Sequence, residues 1–156
     1  MENHKYNVNL KWISDRKGEI SSLELDQTIE VATPPQFPNG IESIWSPEHL
    51  LTAAVNSCYM TTFLSIAENS KLEFLSFDCS ATGTLELVDG KMLMTEIALK
   101  PVLMISKESD KDRAERILQK SEAACLISNS IKSKTTLVTL IKYADLVSET
   151  QLNAVN

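Results

Sequence analysis

The feature that most constrains this fold is a long apolar segment in the middle of the chain that has the pattern of a helix. Ser46, Pro47 and Glu48 form a strong helix start, because Ser is a good N-cap, Pro suits the first helical position and Glu complements the macrodipole. From Leu50 to Ala67 there is no Gly or Pro, and apolar residues occupy nearly every face. A helix that is apolar all round is a buried one, so we expect a sheet on one side and a second subunit on the other.

The residues before this helix predict strands and a loop. Residues 6–31 alternate apolar and polar positions around a turn at Asp15 to Gly18, which predicts a hairpin or a three-stranded meander. Residues 33–45 contain three prolines and a glycine, so they predict a loop. Because this loop also holds apolar side chains, we expect it to cover another part of the protein.

The residues after the helix predict a hairpin, a second helix and a last strand. Phe74–Leu87 and Met92–Ile105 flank an Asp89-Gly90 turn, the sequence of a two-residue hairpin. Ser109 is expected to cap a helix that ends near Cys125, and Thr135–Tyr143 is expected to form one final strand. The order of elements predicts an α+β fold in a single domain of 156 residues, with a core at about 6–143 and a polar tail at 144–156.

Composition excludes several classes of function. With 15 Lys and Arg against 21 Asp and Glu, the chain lacks the basic surface that nucleic-acid binding needs. It has no uninterrupted apolar run of about 20 residues and no secretory signal pattern, so we expect a cytoplasmic protein that binds no membrane. His4 and His49 show no ligand spacing and no CxxC is present, so we expect no metal site.

The cysteines leave two interpretations open. Three cysteines in a reducing compartment are poor material for structural disulfides, so Cys58 and Cys125 are either small core residues or redox-active thiols. Cys79 lies in a predicted strand and is interpreted as structural. Arg16 is either an exposed turn charge or a functional cation, and Glu48 is fully explained by the helix start unless it also has a role in a site.

Two segments resemble the OsmC/Ohr family of osmotically inducible and organic hydroperoxide resistance proteins. The family's "NPEELL-x-AA-xx-SC" motif is similar to the segment Ser46-Pro-Glu-His-Leu-Leu-Thr-Ala-Ala-Val-Asn-Ser-Cys58. Its "CPISNAL" motif is similar to the segment Cys125-Leu-Ile-Ser-Asn-Ser130. The spacing of 125 − 58 = 67 residues and the order of elements also resemble the family. Leu126 replaces the proline of the second motif, and Ser14-Asp15 replaces two glycines of the family's "GGRDG" turn.

The resemblance implies a role for four residues. Cys58 corresponds to the peroxidatic cysteine and Cys125 to the resolving cysteine. Arg16 corresponds to the turn arginine, which pairs with the glutamate at Glu48. The family further implies an intertwined homodimer that reduces organic hydroperoxides to alcohols through a Cys58 sulfenic acid and a Cys58–Cys125 disulfide. It needs no bound cofactor, because an external dithiol or lipoylated reductant restores the thiols.

Physical chemistry adds two expectations about this site. A thiol in an apolar helix has a raised pKa, so the Cys58 thiolate needs a positive partner, and Arg16 oriented by Glu48 could supply it. Glu48 and Cys58 are ten residues apart on one helix, about 15 Å along its axis. If two helices pack antiparallel across a two-fold axis, Glu48 of one chain approaches Cys58 of the other.

A substrate pocket is expected between the Pro-rich loop and the apolar helix. Its wall would be apolar and would consist of Phe37, Ile41, Ile44, Trp45, Leu51, Met60 and Phe63. Two alternatives use the same pocket: a non-enzymatic protein that binds a small apolar ligand, and a hot-dog-like thioesterase, for which Glu48 would be the best available acid or base.

Overall fold

The computed structural model describes residues 3–144, which form two compact units divided between Leu51 and Thr52. The predicted α+β class is confirmed, because these residues form strands in two sheets together with two α-helices. The expected polar tail lies, from residue 145 onward, outside the described residues.

The first unit contains an antiparallel sheet of three strands, β1 (Asn9–Ser14), β2 (Lys17–Ser21) and β3 (Ile29–Ala32), in that order. This is the meander of the two predicted possibilities. Its first turn is shorter than expected and consists of Asp15, with a φ of 44°, and Arg16. Lys17 and Gly18, which were expected in the turn, already pair within β2 because the turn needs only two residues.

The predicted loop follows β3 and contains no helix or extended strand. The Ile41 N–H donates to the Thr33 carbonyl over 2.9 Å, which closes the loop on itself. A β-carbon on Gly40 would lie 2.1 Å from the Pro34 carbonyl oxygen, so this close backbone approach requires glycine.

The long helix α1 (Pro47–Asn69) begins where the sequence predicts. Ser46 caps it, since its Oγ accepts from the His49 N–H over 3.3 Å and its carbonyl accepts from the Leu50 N–H over 3.0 Å. By length and composition α1 could also span a membrane, which differs from the sequence expectation. The buried core helix of a soluble protein meets the same two criteria.

The second unit is built on a long hairpin, β4 (Phe74–Val88) and β5 (Lys91–Ile105). Asp89 and Gly90 form its turn as predicted, with φ values of 49° and 77°. Both residues are in the left-handed region that a type I′ turn requires.

The expected last strand is divided into β6 (Lys134–Leu137) and β7 (Leu140–Tyr143), which both run parallel to β5. The register is the same on both sides of the break, with Leu137 opposite Leu99 and Leu140 opposite Val102. The break lies opposite Lys100 and Pro101. A proline has no N–H to offer the ladder, which accounts for the interruption.

The second helix α2 (Lys111–Ala123) ends two residues before Cys125, as predicted. Its start differs from the prediction, because a 3₁₀ turn at Glu108–Asp110 precedes it. The N-cap residue is Asp110 instead of Ser109, and its side chain makes no capping hydrogen bond. The turn moves the N-cap by one residue, from Ser109 to Asp110, so the helix begins at Lys111.

Helix α1 packs one stripe, not its whole surface, into the core of the second unit. Phe63 is fully buried and stacks on Phe77 of β4 with ring centroids 4.5 Å apart. The stripe and the strand residues buried with it are Val55, Tyr59, Phe63, Ala67, Ile97, Leu99, Leu103 and Ile105. Met60 and Leu64 remain 40% exposed, so burial on all faces is not achieved within one chain. The second subunit expected to cover the rest stays a prediction.

Candidate active site

Cys58 lies at the edge of the buried stripe of α1, immediately before the fully buried Tyr59. The Tyr59 hydroxyl donates to the Leu118 carbonyl of α2 over 3.3 Å, so the two helices are in contact here. The thiol of Cys58 also contacts the segment that follows α2. The Ile127 N–H donates a hydrogen bond to the Cys58 sulfur over 3.4 Å.

Cys125 lies in that same segment and is fully buried. Its N–H donates to the Glu122 carbonyl over 3.1 Å, which continues the turn beyond the end of α2. The Cys58 and Cys125 thiols are hydrogen-bonded to each other, and neither is part of a disulfide. The fold of the second unit thus brings together two cysteines that are far apart in the sequence.

The pKa of Cys58 lies below the ordinary value for a thiol. Burial acts to raise this pKa, but hydrogen bonds lower it by more, first from the Ile127 backbone, then from the side chains of Cys125 and Thr62 and from the Leu126 backbone. All of these donors belong to the second unit. From the sequence we expected a cation to lower the pKa of Cys58. The backbone donors were missed because the residue types of Leu126 and Ile127 do not indicate the direction of their N–H groups.

The pKa of Cys125 is shifted in the opposite direction. Burial raises this pKa most, and the neighbouring Cys58 raises it further, while hydrogen bonds with Ser128 act against the shift. When Cys58 is a thiolate, Cys125 is therefore a neutral thiol that can donate to it. The pair has one proton donor and one nucleophile.

Arg16 and Glu48, the other two predicted site residues, belong to the first unit. Arg16 lies in the β1–β2 turn and lines a cavity of about 310 Å³ together with Trp12 and Pro47. Its carbonyl accepts from the Thr33 N–H over 3.2 Å. Glu48 lies in the first turn of α1. Their proposed part in the chemistry of Cys58 stays a prediction.

The expected pocket residues are divided between the two units. In the first unit, Ile44 and Trp45 line a cavity of about 500 Å³. Its wall also contains Gln36, Glu42 and His49, so this cavity is more polar than the sequence led us to expect. Phe37, Ile41 and Leu51 are half-buried residues of the same unit.

Met60 and Phe63 belong to the second unit. Met60 lines a cavity of about 350 Å³ between α1 and β4, whose wall includes Asn56 and Cys79. Phe63 is fully buried in the core, and its expected place in a pocket wall stays a prediction. Val55, Tyr59 and Phe63 are spaced four residues apart on α1 and lie on one helix face. The ring of Phe63 therefore packs toward the sheet.

Cys79 takes no part in the hydrogen bonds of Cys58 and Cys125. Its pKa is raised to about 11 because burial disfavours the thiolate. The Cys79 carbonyl accepts from the Asn56 amide over 2.9 Å, which ties β4 to α1. Among residues 3–144, no group of three or more His, Cys, Asp or Glu side chains is placed to bind a metal.

Comparison with known proteins finds relatives of this chain. A Bacillus subtilis (strain 168) protein called uncharacterized protein YmaD is 22% identical over 140 residues, which cover 88% of this chain and 93% of the relative. The peroxiredoxin OsmC of Escherichia coli (strain K12) is 29% identical over 92 residues, covering 59% of this chain and 64% of that protein.

The fold is similar to that of a crystal structure of an organic hydroperoxide resistance protein from Elizabethkingia anophelis. The TM-score is 0.73 at 15% identity, and the match covers 92% of this chain and 99% of the other. The family model described as "OsmC-like protein" matches residues 37–140, which contain both cysteines of the candidate site. The resemblance seen in the sequence is confirmed, and the chain belongs to the OsmC-like protein family.

Proposed function

We propose that this protein is a thiol-dependent peroxidase that reduces organic hydroperoxides to alcohols. The observation that carries the proposal is the contact between Cys58, whose pKa is lowered, and the buried Cys125, whose pKa is raised. A thiolate is the form of cysteine that attacks peroxides, and a second thiol beside it is what a resolving step requires.

In the first step the Cys58 thiolate attacks the terminal oxygen of the hydroperoxide. The O–O bond breaks, the sulfur is oxidised to a sulfenic acid, and the alkoxide leaves as an alcohol after it takes up a proton. The substrate is reduced by two electrons, which come from the sulfur.

In the second step the Cys125 sulfur, having lost its proton, attacks the sulfur of the sulfenic acid. The S–S bond forms, the S–O bond breaks, and hydroxide leaves as water with that proton. Because the two thiols are already in contact, this step needs little movement and protects Cys58 from further oxidation. An external dithiol or a lipoylated protein then reduces the disulfide by thiol exchange.

The family and its named members support this class of chemistry. The Escherichia coli relative is called a peroxiredoxin, and the similar crystal structure is of an organic hydroperoxide resistance protein. We propose that this chain shares their type of substrate and acts in the cytoplasm in the response to oxidative stress.

We further propose that the working enzyme is a homodimer with composite sites. Met60 and Leu64 of α1 are 40% exposed in a single chain, and a second copy of α1 would cover such residues. An antiparallel pair of helices would let Arg16 and Glu48 of one chain serve Cys58 of the other. This arrangement avoids the separation of about 15 Å between Glu48 and Cys58 on one helix.

The direct test is consumption of cumene hydroperoxide with dithiothreitol or dihydrolipoamide as the reductant. We expect turnover by the native protein, none by Cys58→Ser, and full turnover by Cys79→Ser, which is the matched control. Retained turnover in Cys58→Ser would overturn the assignment. If hydroperoxide leaves the titratable thiols of the native protein unchanged, the protein is a binder of apolar ligands or a thioesterase.

A further inference from the structure

Two side chains that follow Cys125, those of Asn129 and Ser130, bond to carbonyl oxygens of the preceding backbone. The Asn129 amide nitrogen donates to the Cys125 carbonyl over 2.9 Å and to the Ala123 carbonyl over 3.0 Å. The Ser130 hydroxyl donates to the Leu126 carbonyl over 2.8 Å. The Cys125 and Leu126 carbonyls belong to two successive peptide groups. Asn129 therefore bonds to the first of these peptides and Ser130 to the second.

The N–H groups of those same two peptides contact the Cys58 sulfur. The peptide between Leu126 and Ile127 contains the Leu126 carbonyl and the Ile127 N–H. This N–H donates to the Cys58 sulfur over 3.4 Å. The peptide whose carbonyl belongs to Cys125 carries the Leu126 N–H, which also hydrogen-bonds to Cys58. In a trans peptide the C=O and the N–H point in opposite directions. Each peptide is thus bonded by a side chain at one end and by the sulfur at the other.

We propose that Asn129 and Ser130 are positioning residues, whose side chains orient two successive peptide groups so that the Leu126 and Ile127 N–H groups hold the Cys58 sulfur. A hydrogen bond accepted by a carbonyl polarises its peptide and strengthens the bond that the N–H donates. Neither side chain touches the sulfur itself. The inference rests on the proposed function only in taking Cys58 as the reacting thiol.

Two departures from the family motif contribute to this arrangement. The "CPISNAL" motif has a proline where this chain has Leu126, and a proline offers no N–H. It has an alanine where this chain has Ser130, and an alanine offers no hydroxyl. Both replacements supply a hydrogen bond that the motif residues cannot make.

The test is the pH dependence of Cys58 alkylation by iodoacetamide, with the modified cysteine identified by mass spectrometry. Hydrogen bonds to charged groups are among the stronger ones in proteins, so we expect Leu126→Pro to raise the midpoint by about one pH unit. Ser130→Ala acts indirectly, and we expect it to raise the midpoint by roughly half a unit. Asn129→Ala should raise it by less, because the Asn129 backbone N–H still donates to the Cys125 carbonyl over 3.1 Å. Ser130→Thr, which keeps the hydroxyl, should retain the native midpoint.

Ser57→Ala is the matched control, because the Ser57 hydroxyl also donates to a carbonyl, that of Ala54, over 3.2 Å on the helix that carries Cys58. It should leave the midpoint unchanged. The proposal is wrong if the Ser130→Ala midpoint equals the native one, or if Ser57→Ala moves it as far. If Leu126→Pro does not fold, Ser130→Ala decides the question. No peroxide is used, so a failure of the proposed peroxidase activity would be seen separately.

Discussion

The Ile127 N–H donates a hydrogen bond to the Cys58 sulfur across 69 positions of the sequence. This bond joins the middle of α1 to the segment after α2, and it places a backbone dipole where a negative charge develops. It also brings Cys125, two residues before Ile127, against the same sulfur. The reactivity of Cys58 and the protection of its oxidised form therefore depend on one short segment.

Removal of the second thiol separates these two roles. We expect Cys125→Ser to reduce one equivalent of hydroperoxide and then stop, because no thiol remains to attack the Cys58 sulfenic acid. Intact-mass spectrometry with rising peroxide should show sulfenic acid first, then sulfinic and sulfonic acid on Cys58. The peroxide is added without any external thiol, because a free dithiol can itself attack a sulfenic acid. If none of these acids accumulates on Cys58 under those conditions, Cys125 is not the resolving thiol.

The three cysteines should differ in their pH profiles of alkylation. Thiolate reactivity rises with pH through the pKa and then levels off. Because the pKa of Cys58 is lowered, its reactivity should level off at a lower pH than that of an ordinary thiol. Cys79 should still gain reactivity as the pH approaches about 11, because its pKa is raised to that value. Equal profiles for Cys58 and Cys79 in the native protein would contradict the assigned environment of Cys58.

Substrate preference tests the expected apolar wall. Each buried methylene contributes about 0.8 kcal/mol and hydrogen peroxide has none, so three or four buried carbons correspond to roughly a hundredfold preference. We therefore expect kcat/KM for cumene hydroperoxide to exceed that for hydrogen peroxide by this factor. Trp45→Ala, which shortens a residue of the first unit's cavity, should reduce the preference. Equal efficiency with both peroxides would exclude an apolar pocket even if Cys58 is the reacting thiol.

Arg16 should matter for the reaction and little for folding. Loss of one preorganised donor in a reaction site costs on the order of a hundredfold in rate, whereas an exposed charge contributes under about 1 kcal/mol to stability. We expect Arg16→Met to slow peroxide reduction while the urea midpoint stays the same. Because the Leu126 and Ile127 donors remain, part of the thiolate stabilisation should survive. Lys17→Met, one residue away, is the control and should retain the native rate.

Mixing of two inactive variants tests whether the sites are composite. A heterodimer of Cys58→Ser and Glu48→Gln would contain one site with both lesions and one intact site. We expect activity to return in part once the subunits exchange. If mass spectrometry confirms the heterodimer and it remains as inactive as either parent, each site belongs to one chain and the antiparallel arrangement is wrong.

The stacked pair of Phe63 and Phe77 should contribute strongly to the stability of the second unit. Phe63 is fully buried with its ring 4.5 Å from that of Phe77. We expect Phe63→Ala to lower the free energy of unfolding by about 3–5 kcal/mol, as measured by urea denaturation. Leu64→Ala, at a residue that is 40% exposed in the single chain, should cost less. A loss for Leu64→Ala as large as that for Phe63→Ala would contradict the exposure of Leu64 in the single chain and would mean that another surface covers this face of α1.

The sequence by itself determined the features that depend on local rules. Ser46 and Pro47 begin a helix, and Asp89-Gly90 turns a hairpin, because these residue types satisfy the backbone at those positions in almost any context. The resemblance to two family motifs also singled out Cys58 and Cys125 as a pair.

Only the tertiary structure decided what depends on contacts between distant segments. The last strand is interrupted because it lies opposite Pro101, which the strand's own residues cannot reveal. The ring of Phe63 packs on Phe77 of the sheet because the packing of α1 selects one stripe out of a surface that is apolar all round. The same holds for the activation of Cys58. The sequence argument looked for a cation, whereas the fold directs the N–H groups of Leu126 and Ile127 at the sulfur, and every residue type except proline carries that donor.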